Sequence, residues 1–223
     1  MTRAARHARV WPPLYRAGRA AVTAWGRAIN GFEVAGRGNI PGDRGCLVVC
    51  NHLADCDGMY VGAALPGLPR EVQHLVTGRH HDSSPLVREV LLRVGLEPVR
   101  TDGTEMAALR HARRVLQDGG IVVIYPEGFP GYSARVGAFA AGVGWLALTP
   151  GIHVVPAAIW GTHRVMRHGL PVARGPVRVA FGPAGTIDGP EGSRAERVAR
   201  VTARMRHDVQ RLVDAVAAGG PPA

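Results

Sequence analysis

Lysine is absent from this 223-residue chain: all 27 of its basic residues are arginine, set against 17 acidic ones. Alanine, glycine, valine and proline are abundant beside them, the signature of a GC-rich coding bias, so arginine richness alone says little about function. The net charge of +10 still creates a field that favours anionic partners such as a membrane surface or phosphorylated substrates. Aromatic residues make up only 5% of the chain. The arginines are scattered rather than interleaved with aromatics, and no nucleic-acid-binding motif is present, so no nucleic-acid partner is expected. Cysteine is limited to Cys46, Cys50 and Cys56 with no CxxC pair, which excludes a disulfide scaffold and fits reduced, buried thiols. No apolar run reaches the length of a membrane-spanning helix. The basic opening, MTRAARHARV, lacks the apolar segment of a secretion signal. What remains, 46% hydrophobic and 20% charged residues, is the composition of one folded domain with a sizeable core.

Along the chain we expect an amphipathic arm over residues 1–30, one main domain over 31–218 and a short tail over 219–223. Within the arm, Leu14, Gly18, Ala21, Val22, Trp25 and Ile29 fall on one side of a helix and Arg16, Arg19 and Arg27 opposite. Such a helix suits docking on the core and, with Trp11, Tyr15 and Trp25 nearby, an interfacial position on a membrane; both roles are compatible. From Phe32 onward short β-branched runs alternate with helical stretches, the rhythm of an α/β fold. Strands are expected at 32–36, 46–51, 72–77, 97–100, 120–125, 152–160 and 176–182. Helices are expected at 57–65, 83–94, 104–118 and 137–149, followed by a last helix with Val198, Val201, Met205, Val209, Leu212 and Val216 facing the core and its arginines outward. The predicted fold is a single α/β domain with a mostly parallel or mixed sheet flanked by helices.

Four strand ends, those before His52, at Arg100, at Tyr125 and at Gly161-Thr162, are expected to point at one cleft, and two of them carry candidate chemistry. After the second strand the chain reads Cys50-Asn51-His52-Leu53-Ala54-Asp55-Cys56-Asp57. With ten histidines and nine aspartates, chance alone supplies about 0.4 His–Asp pairs at this spacing, so its weight comes from context. Strand-to-helix junctions are where α/β sheets place ligand sites, and a histidine held by a carboxylate is equipped to take a proton from an alcohol. A structural role fits the pair equally, and Asp55 reads as the helix N-cap. The fifth strand ends in Tyr125-Pro126-Glu127-Gly128, where Glu127 is the single carboxylate of a Pro/Gly-rich loop. The cluster His80-His81-Asp82 has no second group of ligands at metal-binding spacing, and no metal is expected.

Asn51-His52 with Asp57, then Gly95-x-x-Pro98-Val99-Arg100, then Tyr125-Pro126-Glu127-Gly128, then Val155-Pro156-Ala157-Ala158-Ile159-x-Gly161-Thr162 resemble the four ordered blocks of the glycerolipid acyltransferase family, the HX4D acyltransferases. The resemblance spans residues 32–185. It implies an O-acyltransferase that moves a fatty acyl group from acyl-CoA or acyl-carrier protein, as co-substrate and without a cofactor, to a hydroxyl of a lysophospholipid-type acceptor. It further implies His52 as general base, Asp57 as its partner, and Arg100, Glu127 and Gly128 as acceptor-binding residues, in a protein peripheral on the cytoplasmic face of the membrane.

The chain departs from that pattern in the third block. The family continues Gly-Thr-Arg-Ser, whereas here the residues are Gly128-Phe129-Pro130-Gly131. Arg100 stands one place before the expected arginine, and Arg135 is a nearby substitute for the missing cation. Loss of two charge-assisted contacts, each of about 1.5–3 kcal/mol, makes a non-phosphate acceptor, such as a glycolipid or specialised metabolite, the alternative. A catalytically silent lipid-binding relative is the other reading weighed.

Overall fold

The computed structural model describes residues 12–66, 72–77, 96–99, 105–133, 135–167, 170–171, 175–187 and 191–219. Arg79, the cluster 80–82, the helix expected at 83–94 and Arg100 lie outside them. The described elements are α1 (Pro12–Asn30), β1 (Glu33–Ala35), a 3-10 turn (Arg37–Asn39), β2 (Cys46–Cys50), α2 (Asp57–Ala64), β3 (Val72–Thr77), β4 (Leu96–Val99), α3 (Glu105–Gln117), β5 (Ile121–Ile124), α4 (Gly142–Ala147), β6 (His153–Trp160), α5 (Thr162–Val165), β7 (Met166–Arg167), β8 (Leu170–Pro171), β9 (Arg178–Phe181) and α6 (Arg194–Ala217).

Seven strands form one sheet in the order β1-β9-β6-β2-β5-β3-β4. Strands β6, β2, β5, β3 and β4 run parallel, while β9 is antiparallel to β6 and parallel to β1. Strands β2 and β5 are apolar and buried throughout, as strands covered on both sheet faces must be. Along β2, Cys46, Val48 and Cys50 enter one core cluster while Leu47 and Val49 enter the other. This period of two separates an α1–α2 side from an α3–α4–α6 side. The C-terminal ends of β6, β2 and β5 lie side by side, where an open parallel sheet presents its loops for chemistry.

Helix α6 follows its sequence pattern: Val201, Met205, Val209, Leu212, Val213 and Val216 are buried. Ser193 and Glu196 close a reciprocal capping box at its start. Three expectations need correction. The helix expected over 137–149 is confined to Gly142–Ala147, because the backbone groups of Val136 and Gly137 are engaged by side chains, as described below. The N-cap of α2 is Cys56 with no side-chain bond, not Asp55; Asp55 instead accepts from the Tyr132 hydroxyl at 3.4 Å. In α1 the face toward α2 includes Tyr15, Arg19, Val22 and Gly26, while Trp25 is 50% exposed.

Arg19 therefore does not join the solvated side. Its Nη2 donates to the carbonyl of Leu65 at 2.6 Å, and Arg37 Nε donates to that of Ala64 at 2.7 Å. The last carbonyls of a helix lack internal partners and sit at its negative end, so two guanidiniums there cap α2. Gly26 permits the close approach: a Cβ at this position would stand 3.1 Å from both Phe32 and Tyr60 side-chain carbons. The Tyr60 hydroxyl in turn donates to Asn30 Oδ1 at 2.8 Å.

Candidate active site

The turn between β2 and α2 is organised by Asp57, the first residue of α2. Its side chain is fully buried, and Oδ2 accepts hydrogen bonds from the backbone N–H of Leu53 at 2.5 Å and of Ala54 at 2.9 Å. The same oxygen lies 2.8 Å from His52 Nδ1. A carboxylate at a helix N-terminus also faces the positive end of the helix dipole. With Asp57 ionised, the pairing fixes Nδ1 as the donor and leaves the Nε2 lone pair free to accept a proton. The His52 side chain keeps 15% exposure, so the ring remains reachable while its orienting partner does not.

The loop after β5 holds the same histidine from its backbone. Glu127 Oε1 accepts from His52 N at 2.8 Å, and Oε2 accepts from Gly137 N at 2.7 Å. Gly131 N donates to the His52 carbonyl at 2.9 Å. Burial raises the Glu127 carboxyl above its ordinary pKa, opposed by the two N–H donors that favour its charged form. Both Glu127 oxygens are thus turned on the protein's own backbone. The Tyr125 ring covers the histidine, with centroids 4.8 Å apart.

Segment 136–137 is itself clamped by the C-terminal helix. Gln210 accepts from Val136 N at 2.9 Å, and Arg206 donates to the carbonyls of Gly137 at 2.7 Å and Val136 at 3.0 Å. A Cβ on Gly137 would stand 2.9 Å from Glu127 Oε2, so any larger residue here would push on the carboxylate. The clamp joins residues about 70 positions apart in the chain, beyond the reach of any local periodicity.

On the other side of β2, the Asn51 amide donates to the Ile159 carbonyl at 3.1 Å and accepts from Ile159 N at 2.8 Å, tying the β2 end to β6. Beyond β6, His163 stands edge-on to Trp160 at 5.0 Å and lies within the field of Asp57. Burial lowers its pKa and the adjacent Arg164 adds to that, against the opposite pull of Asp57. Tyr125 was quoted from sequence only as the first residue of its block, and Gly131, Gly137 and His163 were not singled out as parts of this site. Of these three, His163 alone had a usable signal: it follows the Gly161-Thr162 strand end directly.

The structure brings together His52, Asp57 and Glu127, with Gly128 in the adjoining turn, its N–H bonded to the Tyr125 carbonyl at 3.0 Å. Arg135 is exposed on the same loop, and Phe129 is 61% exposed. The neighbouring cysteines are poor nucleophiles: burial pushes the Cys50 thiol well up and the Cys56 thiol to about 12, with the Asp57 charge adding to both. Among the described residues no group of three His, Cys, Asp or Glu side chains converges for a metal ion. A cavity of about 310 Å³ lined by Val49, Met205, Val209 and Leu212 lies under α6 on the other sheet face and shares no residue with the His52 site.

A family model described as Acyltransferase matches residues 31–160, more than half of the chain. The chain is 31% identical over 107 residues to an uncharacterised protein of Mycobacterium tuberculosis, covering 46% of this chain and 28% of that one. An uncharacterised Mycobacterium leprae protein is 30% identical over 114 residues, with 27% of its length covered. The chain thus spans little more than a quarter of these relatives. In fold it resembles the crystal structure of the 1-acyl-sn-glycerophosphate acyltransferase PlsC from Thermotoga maritima, with a TM-score of 0.65 and 22% identity over 90% of this chain and 78% of that one. The family match over residues containing His52, Asp57 and Glu127, together with the shared fold, establishes that the chain belongs to the acyltransferase family.

Proposed function

We propose that this protein transfers a fatty acyl group from a thioester donor, acyl-CoA or acyl-carrier protein, to a hydroxyl of a lysophospholipid-type acceptor, with His52 as general base. The observation that carries the reading is the 2.8 Å contact between His52 Nδ1 and Asp57 Oδ2 at the end of the central strand. The acceptor oxygen attacks the thioester carbonyl as its proton passes to His52 Nε2. The tetrahedral intermediate then collapses with cleavage of the C–S bond, and the leaving thiolate takes the proton from the imidazolium. An ester and a free thiol result, with no covalent enzyme intermediate. Asp57 stabilises the imidazolium during this cycle. Glu127, expected on the acceptor side, instead spends both oxygens on backbone N–H groups and fixes the His52 backbone; Arg100 and Gly128 are assigned to the acceptor side by resemblance to the family, and Arg135 as the substitute for its missing cation.

Phe129 favours a second reading, a neutral hydroxyl acceptor. It stands exposed where the family pattern carries a polar residue, and proline at 130 offers no backbone donor. We assign the protein to the anionic cytoplasmic face of a membrane, with α1 as the contact; among the described residues no helix is long and apolar enough to cross one.

The test is an acceptor screen with labelled acyl-CoA and acyl-carrier protein, read by mass spectrometry. Acylated product is expected, with His52→Ala lowering turnover by about 10²–10⁴-fold. Binding of lipid without turnover on any acceptor would mark a silent relative instead. If lysophosphatidate outcompeted every neutral acceptor, the second reading would fail.

A further inference from the structure

At the far end of α2 from Asp57, helix α1, strand β1 and the 3-10 turn enclose a small hollow of about 140 Å³, lined by Thr23, Arg27, Phe32, Val34 and Arg37. Thr23 and Arg27 are four residues apart and therefore neighbours on one face of α1. Arg37 uses its Nε on the Ala64 carbonyl, and the fork of its terminal nitrogens makes no hydrogen bond with any described residue. Arg19, beside it at the α2 terminus, bonds among the described residues to the Ala63 and Leu65 carbonyls, neither of them an anion. Arg27 makes no hydrogen bond or ion pair with any described residue.

Three guanidiniums therefore gather at this place without a carboxylate among the described residues. The arrangement has an electrostatic cost: burial, then the charges of Arg19 and Arg27, lower the pKa of Arg37. Like charges around a hollow are relieved by an anion placed between them. The hollow is well below the roughly 300–1,000 Å³ of sites that enclose a whole small molecule, so it suits one compact group on a larger ligand. Guanidinium forks match the oxygens of a tetrahedral oxyanion in pairs.

We propose that Thr23, Arg27 and Arg37 form a binding site for a phosphate ester, separate from the His52 centre. Arg27 and Arg37 supply the charge and the paired donors, the Thr23 hydroxyl supplies a further donor, and Phe32 and Val34 form an apolar floor. A phospholipid headgroup and a soluble phosphate ester such as coenzyme A present the same chemistry.

The experiment compares the full chain with Arg27→Gln and with Arg16→Gln, an exposed arginine on the same helix face about three turns away. Titration calorimetry is run with inorganic phosphate and with coenzyme A, and co-sedimentation with vesicles of phosphatidylglycerol and of phosphatidylcholine. Arg27→Gln should weaken binding of at least one phosphate-bearing probe about tenfold, with Arg16→Gln near wild type. A loss confined to phosphatidylglycerol vesicles identifies a lipid headgroup, and a loss confined to coenzyme A or phosphate identifies a soluble ester. Thr23→Val, which keeps the side-chain shape, should reproduce the loss in part. Equal losses in Arg27→Gln and Arg16→Gln would mean a diffuse basic surface and overturn the proposal, as would wild-type binding by Arg27→Gln. None of these readings depends on turnover.

Discussion

Helices α1 and α6 have the same kind of sequence, arginine-rich and amphipathic, yet they attach to the sheet in different ways. Helix α6 buries a continuous row of aliphatic side chains, from Val201 to Val216, and keeps most of its arginines outside, although Arg197 is half-buried and Arg206 folds back on the 136–137 backbone. Helix α1 buries little that is aliphatic. It docks through Tyr15, the Arg19 guanidinium, Val22 and a bare Gly26, and leaves Trp25 half in solvent. Equal amphipathicity thus does not imply equal burial. A helix gripped by hydrogen bonds to carbonyls contributes orientation, whereas one gripped by packed apolar area contributes most of the stability.

The largest expected effect lies on the α6 side. Met205 is 3% exposed within its core cluster, and Met205→Ala should cost about 2–5 kcal/mol in denaturant unfolding. Val22→Ala in α1 should cost much less, because Val22 is only partly buried. Equal losses would erase the distinction between the helices.

Next comes an acid sensitivity confined to the α1–α2 side. His74 on β3 is fully buried with its Nε2 against Gly62 of α2, and burial lowers its pKa to about 4. The folded state therefore favours the neutral ring. Stability from this group is complete above its unfolded pKa near 6.5 and is lost as pH falls toward 4, by about 3 kcal/mol in all. Urea titrations across that window should show the loss in wild type, and His74→Gln should flatten the slope. An unchanged slope would place the sensitivity elsewhere.

The smallest effect concerns catalysis rather than stability. Arg206 and Gln210 hold Val136 and Gly137, Gly137 holds Glu127, and Glu127 holds the His52 backbone. Arg206→Ala should lower kcat about tenfold by loosening the geometry around the base. Combined with Glu127→Gln, the losses should not multiply, since both variants break one chain of contacts. Multiplying losses would show that the two residues act independently.

The same contrast governs what the sequence revealed. Strands β2 and β5 were legible because their apolar runs are short, unbroken and bounded by Gly, Asn or Tyr-Pro, β6 because its run stays apolar around Pro156 and ends at Gly161, and the His52–Asp57 pair was legible from its place at a strand-to-helix junction and within a family block. Helix α6 followed from its spacing. The inward Arg19 was not legible, since its partners are the carbonyls of Ala63 and Leu65, more than forty residues away. The irregular stretch before α4 was missed for the same reason: its apolar spacing suits a helix, but Glu127, Arg206 and Gln210 take the backbone groups a helix would use.

The central claim is that Asp57 holds His52 as the base of acyl transfer, and the most direct measurement is kcat for thiol release from the acyl donor by wild type and by Asp57→Asn, with folding matched by thermal unfolding. The account predicts a fall of about 10²–10⁴-fold, because an amide neither fixes the imidazole tautomer nor stabilises the imidazolium. Turnover near that of wild type in a folded Asp57→Asn variant would contradict it.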